Sequence, residues 1–213
     1  MYVIGLTGGI GSGKSTVAQT LEEEGAVVLS ADLVGHEVYQ PGRPAFQEIV
    51  DAFGPQVVAS DGAIDRKKLG PIVFADPKNL ARLNAITHPR MKDLMREKLA
   101  ELEANGVQFA VLEAALLFDA GWDDLADEVW VTVAPPQIAA QRAAQRSGIP
   151  VEQVLERIIK AQISDEERVS RSDVVIDTDC QLEETRHRAR EAWSRLKRRL
   201  AASSAIPSAR KRV

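Results

Sequence analysis

The chain has 213 residues, of which 45% are hydrophobic and 27% are charged, and its formal net charge is −4 at pH 7. These values are typical of one globular domain, and the slightly acidic balance excludes a general attraction to nucleic acid or to anionic membranes. The single cysteine, Cys180, excludes an intrachain disulfide, and the chain shows neither a secretion signal nor an apolar run near the ~20 residues of a membrane span, so we predict a cytoplasmic protein.

Five short β-branched runs alternate with helical patterns along the chain. The predicted strands are Tyr2–Leu6, Ala26–Leu29, Phe109–Glu113, Val129–Val133 and Val174–Asp177. Strands that alternate with helices form parallel sheets covered on both faces, and these runs are apolar almost throughout. We therefore predict an α/β fold of three layers around a five-stranded parallel sheet.

The segment between the second and third predicted strands contains several helical patterns. They are Ala31–Tyr39, Pro44–Phe53, Arg66–Phe74, Pro77–Thr87 and Arg90–Asn105, with turn signals between them that include His88-Pro89. One crossover helix would suffice for a β-α-β unit, so the surplus predicts a helical insertion over residues 33–106 of a single domain, 1–202.

Two later segments are also distinctive. Residues 136–171 form a second helical stretch between the last two predicted strands, which predicts a mobile lid. Residues 203–213 are small, polar and basic, which predicts a disordered tail.

The most informative motif directly follows the first predicted strand. Residues 8–15, G-G-I-G-S-G-K-S, fit the phosphate-loop pattern G-x-x-x-x-G-K-[ST]. Glycines let the backbone approach phosphate oxygens, and backbone N–H groups of the loop and of the next helix bind the anion. We expect Lys14 to reach the β- and γ-phosphates of ATP and the Ser15 hydroxyl to coordinate Mg²⁺. The predicted ATP-binding residues of the loop are Gly9, Gly11, Ser12, Gly13, Lys14, Ser15 and Thr16.

Other interpretations of the loop are a glycine-rich turn without a ligand and a dinucleotide-binding loop. The position of a strand before the motif and of a helical pattern after it favours a phosphate-binding loop over a simple turn. Lys14 stands where a dinucleotide-binding loop has its third glycine, which argues against that class. We therefore predict a P-loop kinase-like fold.

Two carboxylates follow or end predicted strands. Asp32 lies three residues beyond the second strand, and in open parallel sheets ligands sit at the carboxyl ends of strands, so Asp32 is a candidate base for a substrate hydroxyl. Ser30 and Asp32 would equally suit the N-cap of the next helix. Glu113 ends the third strand and is either a possible Mg²⁺ ligand or a carboxylate in solvent.

Several segments together resemble one family. Residues 5–16, G-L-T-G-G-I-G-S-G-K-S-T, closely resemble the opening of dephospho-coenzyme A kinases. His88-Pro89 matches a His-Pro in that family's helical insertion, and residues 115–119, A-L-L-F-D, resemble its P-L-L-F-E segment. Arg142 and Arg146 match the paired arginines of its lid, and Ala161-Gln162 the glutamine after them. The resemblance spans roughly residues 1–200.

This resemblance implies phosphorylation of the ribose 3′-hydroxyl of dephospho-coenzyme A by ATP with Mg²⁺, the last step of coenzyme A synthesis. It implies that Asp32 is the catalytic base, aided by Lys14 and Arg142, and that Arg142 and Arg146 bind ATP. It also implies that the inserted helices hold the coenzyme A end. The implied substrate-binding residues are Asp32, His88, Leu116, Leu117 and Phe118.

The sequence departs from the family pattern at several positions. Ser30 replaces the first aspartate of D-A-D, and Ala115 and Asp119 replace the proline and glutamate of P-L-L-F-E. Thr178 and Cys180 replace an asparagine and a glycine after the last strand, where an amide side chain would contact adenine.

Two other functions remain compatible with the motifs. One is a P-loop kinase with another hydroxyl acceptor, such as a nucleoside. The other is a nucleotide-switched binding protein that holds nucleic acid with its basic C-terminal helix. Taken residue by residue, Arg142 and Arg146 could form a solvated helix face and His88 could cap a helix. We predict small-molecule partners, ATP and dephospho-coenzyme A, and neither nucleic acid nor membrane.

Overall fold

The computed structural model describes residues 1–161 and 163–204, and the chain divides into two compact units. The unit that we call the helical unit comprises Met1 and Leu29–Gln108. The unit that we call the sheet unit comprises Tyr2–Val28 and the described residues from Phe109 onwards. The chain thus passes from one unit to the other within its second strand.

The strands and helices follow one another in an alternating order. The strands are β1 (Tyr2–Gly8), β2 (Val27–Ser30), β3 (Phe109–Glu113), β4 (Glu128–Val133) and β5 (Val174–Asp177). The helices are α1 (Lys14–Glu23), α2 (Ala31–Glu37), α3 (Pro44–Phe53), α4 (Arg66–Ala75), α5 (Pro77–Ala104), α6 (Pro136–Ser147), α7 (Val151–Ala161), α8 (Asp165–Ser170) and α9 (Leu182–Ser204). Helices α2–α5 belong to the helical unit.

The five strands form one parallel sheet in the order β2-β3-β1-β4-β5. The predicted α/β fold with a five-stranded parallel sheet is therefore confirmed. Strand β1 is central, and its Leu6 lies opposite Glu113 of β3 and Trp130 of β4. The loop that follows β1 consequently emerges between the ends of β3 and β4, at the edge of the sheet where such folds bind ligands.

Helices α1 and α9 pack on one face of the sheet. Helix α9 turns a stripe of apolar residues with helical spacing toward that face, and Trp193 meets Phe109 edge-on with 4.7 Å between ring centroids. Burial of each large apolar side chain stabilises the fold by about 1.5–3 kcal/mol. The buried residues of this stripe are Ala189, Ala192, Trp193 and Leu196.

The helical unit has a core of its own between α3, α4 and α5. Side chains from all three helices contribute to it or pack against it. The Asp65 carboxylate accepts hydrogen bonds from the N–H groups of Lys67 and Lys68 and so caps α4. The buried residues of this core are Ile49, Phe53, Val57, Ile64, Leu69 and Val73.

The helix break predicted at His88-Pro89 is wrong, because α5 runs without interruption from Pro77 to Ala104. A proline inside a helix removes one N–H donor and costs roughly 3 kcal/mol. Helix α5 offsets this cost by burying side chains on both sides of Pro89, including Thr87, Met91 and Met95. The packing of the helical unit therefore outweighs the helix-breaking effect of Pro89.

Helices α6, α7 and α8 lie within the predicted lid region, residues 136–171. Gln162, which the family resemblance singled out, lies outside the described residues. Helix α9 ends at Ser204, and residues 205–213 of the predicted tail also lie outside them. Within the described ranges, none of the helices has the length and apolar character needed to cross a membrane.

Candidate phosphate-binding site

The loop between β1 and α1 has a backbone that requires glycine. Gly11 and Gly13 have φ angles of 74° and 85°, which side chains other than glycine rarely adopt. A Cβ atom at Gly11 would also lie 2.0 Å from the carbonyl oxygen of Ala139, because α6 packs closely against the loop. Main-chain conformation and available space therefore both explain Gly11, and main-chain conformation explains Gly13.

Helix α1 begins at Lys14 directly after this loop. Its N-cap residue is Gly13, which offers no side-chain acceptor to the N–H groups of the first turn. An anion can take that role, and the helix dipole favours negative charge at this end. Helix α1 is ten residues long. Its first residue, Lys14, is partly exposed and adds a positive charge next to these amides.

Ser12 is anchored into the interior of the sheet unit. Its side chain is 2% exposed and its Oγ lies 2.7 Å from Oγ1 of Thr132, at the end of β4. Its backbone N–H donates to the carbonyl oxygen of Gly9 over 3.2 Å. The Ser12 hydroxyl is thus used within the protein, where it fixes the loop to the sheet.

Ser15 and Glu113 place two oxygen ligands side by side. The Ser15 hydroxyl donates to Oε1 of Glu113 over 3.2 Å, and Ser15 is exposed. Hydroxyl and carboxylate oxygens are the donors that Mg²⁺ prefers, and Mg²⁺ usually keeps several waters and uses few protein ligands. The residues present therefore fit a magnesium ion bound next to the loop.

Arg142 and Arg146 lie one turn apart on α6 but have different environments. Arg142 is half-buried and donates from Nη1 to Oγ1 of Thr178 over 3.1 Å and from Nη2 to the Thr178 carbonyl oxygen over 2.8 Å. Arg146 is exposed. The interpretation of the pair as a solvated helix face is therefore wrong for Arg142.

The apolar segment after β3 is mostly core. Leu117 is fully buried, Phe118 is 6% exposed and Leu116 is partly exposed. The guanidinium of Arg171 lies 4.2 Å from the centre of the Phe118 ring, which favours a cation–π interaction. Of the three residues that the resemblance assigned to substrate binding, Leu116 thus has the most accessible side chain.

Asp32 and His88 belong to the helical unit. Asp32 is the second residue of α2 and is exposed, so the alternative in which it forms the N-cap is wrong. Ser30 occupies the N-cap position without a side-chain hydrogen bond. His88 lies inside α5 and is partly buried, so it does not cap a helix.

The helical unit also contains a groove of about 400 Å³ with an apolar floor and a basic rim. The side chain of Phe74 borders it and is 78% exposed. Arg66 and Lys67 supply positive charge, and burial raises the pKa of the Tyr39 phenol above its ordinary value of 10. The apolar floor is formed by Leu69, Val73, Leu80 and Leu83.

Basic side chains of α9 form ion pairs with carboxylates of the sheet unit. Arg188 pairs with Glu184 over 3.0 Å, and Arg199 pairs with the buried carboxylate of Glu128. These ion pairs involve side chains of the basic helix on which the nucleic-acid hypothesis depends.

Thr132 and Thr178 are two residues of the site that no sequence motif singles out. Both hydroxyls contact Ser12, through its side chain and its carbonyl oxygen respectively. Their positions are a sequence signal for a site residue, since each is a polar residue at the carboxyl end of an apolar strand or just beyond it. What the spacing could not show is that their partner is the loop itself.

Comparison with known proteins gives a consistent result. The model of the dephospho-CoA kinase family matches residues 2–184. A dephospho-CoA kinase of Moorella thermoacetica is 45% identical over 202 residues, which cover 94% of this chain and 95% of the relative. One from Geobacter sulfurreducens is 47% identical and covers 92% of this chain and 98% of its own length. The solved structure of dephospho-CoA kinase from Campylobacter jejuni superimposes with a TM-score of 0.69 at 26% identity, with 91% of this chain and 96% of that chain covered.

Proposed function

The chain belongs to the dephospho-CoA kinase family, and we propose that it transfers the γ-phosphoryl group of ATP to the ribose 3′-hydroxyl of dephospho-coenzyme A. The products are coenzyme A and ADP, so the reaction completes coenzyme A biosynthesis. The observation that carries this proposal is the glycine-dependent loop at the N-terminus of α1, with Lys14, Ser15 and Glu113 beside it.

The loop binds the triphosphate of ATP in this proposal. Backbone N–H groups of the loop and of the first turn of α1 donate to phosphate oxygens, and the Lys14 ammonium balances charge on the β- and γ-phosphates. Phosphoryl transfer depends mainly on positioning and on electrostatic stabilisation. Gly11, Gly13 and the anchored Ser12 supply that positioning, because they fix the direction of the amides before ATP arrives.

Ser15 and Glu113 hold Mg²⁺, either directly or through its waters. When bound, the ion neutralises charge that develops on the phosphate oxygens. The hydrogen bond between the two side chains keeps their oxygens 3.2 Å apart. The Ser15 hydroxyl can give up this bond to Glu113 and turn its lone pairs to a cation.

Asp32 is the base of the proposed reaction. The 3′-oxygen attacks the γ-phosphorus, the bond to the β–γ bridging oxygen breaks, and ADP leaves with that electron pair. The proton of the 3′-hydroxyl passes to the Asp32 carboxylate. The exposure of Asp32 and its place in the first turn of α2 support this role, because the carboxylate is accessible to an incoming alcohol.

Arg142 acts on the phosphate side of the reaction. Two hydrogen bonds to Thr178 hold its guanidinium, and Thr178 in turn bonds to the loop at Ser12. A guanidinium held in this way can stabilise negative charge on the transferring group without prior rearrangement. Arg146, exposed one turn further along α6, assists ATP binding.

The helical unit holds the coenzyme A end of the acceptor. The groove next to Phe74 combines an apolar floor with Arg66 and Lys67 at its rim, and the acceptor combines a diphosphate with a pantetheine arm whose methyl and methylene groups are apolar. His88, on α5 of the same unit, contributes to this binding. We place the reaction in the cytoplasm, which fits a chain with one free cysteine.

A coupled assay of ADP release tests the proposal. Purified chain, ATP and Mg²⁺ are combined with dephospho-coenzyme A, with its 3′-deoxy analogue, or with a panel of nucleosides and other alcohols. We expect rapid ADP release with dephospho-coenzyme A alone, and none with the 3′-deoxy analogue. Comparable rates with a nucleoside would assign a different acceptor, and ADP release that ignores every acceptor would favour a nucleotide switch. Lys14→Met serves as the inactive control.

A further inference from the structure

Thr178 connects the phosphate-binding loop to helix α6. It directly follows β5 and is 1% exposed. Its hydroxyl donates toward the carbonyl oxygens of Ser12, at 2.9 Å, and Val133, at 3.1 Å. The same oxygen accepts a hydrogen bond from Nη1 of Arg142, and the Thr178 carbonyl oxygen accepts one from Nη2. One residue thus contacts the loop, the end of β4 and α6.

The contact with Ser12 determines the direction of a loop amide. In a planar trans peptide the C=O of one residue and the N–H of the next point in opposite directions. When Thr178 holds the Ser12 carbonyl on its own side, the N–H of Gly13 must point away from Thr178. Amides directed in this way form the anion-binding concavity of phosphate loops.

The methyl group of Thr178 restrains the same peptide sterically. A Cβ atom at Gly13 would lie 3.1 Å from Cγ2 of Thr178, so the threonine fills the space beside Gly13. Gly13 has a φ of 85° and initiates α1. Hydrogen bonding and packing by one side chain therefore fix the residue at which the loop becomes a helix.

We propose that Thr178 is a positioning residue for the phosphates of ATP, which it orients through the Ser12–Gly13 peptide and through Arg142. Its burial keeps its side chain away from bound nucleotide, so it does not replace the adenine contact expected of an asparagine at this position. The inference rests on the proposed function in one respect, that the loop binds ATP.

The chemistry of the hydroxyl makes the proposal specific. A hydroxyl donates one hydrogen bond and accepts others, and Thr178 uses both abilities at once. Serine retains them, whereas valine keeps the shape of threonine and loses both. Thr178→Val leaves a buried carbonyl oxygen and a guanidinium donor without their partner, which frees the Ser12–Gly13 peptide to turn.

The test measures affinity for ATP and for inorganic tripolyphosphate by calorimetry, without an acceptor. We expect Thr178→Val to weaken binding of both ligands about tenfold, which corresponds to about 1.4 kcal/mol, and Thr178→Ser to stay within about twofold of the unchanged chain. If the affinity for both ligands falls equally, the lost interaction is with the phosphates, because tripolyphosphate has no adenine. Thr87→Val is the matched control, since Thr87 is also buried and its hydroxyl donates to the carbonyl of Leu83 within α5.

Three results would overturn the proposal. They are unchanged binding of both ligands by Thr178→Val, weaker binding of ATP alone, and an equal loss in Thr178→Ser. If Thr178→Val does not fold, Thr178→Ala replaces it, and equal affinities of the alanine and serine variants would then count against the proposal. Because no acceptor is present, failure of the chain to phosphorylate dephospho-coenzyme A would refute the proposed function and leave this test valid.

Discussion

The phosphate-binding loop and the surface of the helical unit show two different ways of building a binding surface. In the loop, the groups that meet the ligand are main-chain amides, and buried hydroxyls of Ser12, Thr132 and Thr178 hold them in place. In the helical unit, the candidate groups are exposed side chains, Asp32 on α2 and Phe74 on α4, that stand on regular helices.

This difference has a consequence for substitutions. A change in the loop alters the backbone and therefore both folding and ligand binding. A change on the surface of the helical unit alters one ligand contact and leaves the fold intact, because exposed side chains contribute little to stability. Matched variants from the two units test this difference, beginning with the largest expected effect.

Asp32→Asn tests the chemistry of the helical unit. General base catalysis contributes about 10²–10⁴-fold to a rate, so we expect kcat to fall by that factor while ATP affinity and thermal stability stay unchanged. Steady-state kinetics with dephospho-coenzyme A and a melting curve measure the two effects. Asp93→Asn, an exposed carboxylate on α5, is the control and should keep full activity. Wild-type turnover by Asp32→Asn would remove Asp32 from the mechanism.

Gly13→Ala tests the loop. The φ of 85° and the contact with Thr178 make alanine unfavourable there, and the backbone strain alone is about 1–2 kcal/mol. We expect ATP to bind at least about tenfold more weakly. Gly106→Ala is matched, because Gly106 has a φ of 77° with nothing within 4 Å of an added Cβ, and it lies in the helical unit.

Titration calorimetry with ATP separates the two glycine variants. Both should lower the melting temperature, and Gly13→Ala alone should lose affinity. If Gly106→Ala weakened ATP binding as much, the loss would reflect general destabilisation and the loop would have no special role.

Phe74→Ser tests the groove. Loss of apolar contact with the pantetheine arm, about 1 kcal/mol for partial burial of the ring, should raise KM for dephospho-coenzyme A about fivefold and leave KM for ATP unchanged. The control is Val175→Ser, an apolar residue of the sheet unit that is 46% exposed. An equal rise for both substrates, or none, would exclude the groove as the site of the arm.

Glu37→Gln tests an ion-pair network on the helical unit and should have the smallest effect. A hydrogen bond from Lys98 and the charge of Arg43 hold the pKa of the Glu37 carboxyl below its ordinary value of 4.5. The stabilisation is present above pH 4.5 and is lost as the pH falls through the lowered pKa. At this partly exposed site we expect about 0.5 kcal/mol.

Denaturant unfolding at pH 7 and pH 3 measures this effect. The difference between Glu37→Gln and the unchanged chain should appear at pH 7 and shrink at pH 3. Glu97→Gln removes another exposed carboxylate, on α5, and is the control substitution. A Glu37→Gln difference that is the same at both pH values would show that the carboxylate charge is irrelevant.

Much of the sheet unit could be predicted because its signals are local. Apolar β-branched runs predicted β3 and β5 with the bounds that the structure shows, and the glycine pattern predicted the loop. The break at His88-Pro89 was wrong because proline weakens a helix locally, whereas the packing that keeps α5 intact involves residues distant in sequence. For the same reason the hydrogen bonds of Thr132 and Thr178 to the loop were not predictable, since each joins residues more than a hundred positions apart in the sequence.

The nature of the product tests the central claim most directly. The chain is incubated with ATP, Mg²⁺ and dephospho-coenzyme A, and the product is analysed by ³¹P NMR with proton coupling. We predict one new phosphomonoester, coupled to the ribose 3′-proton and formed in equal amount to ADP. A phosphate coupled to the 2′-proton, or free inorganic phosphate in place of the ester, would contradict the account.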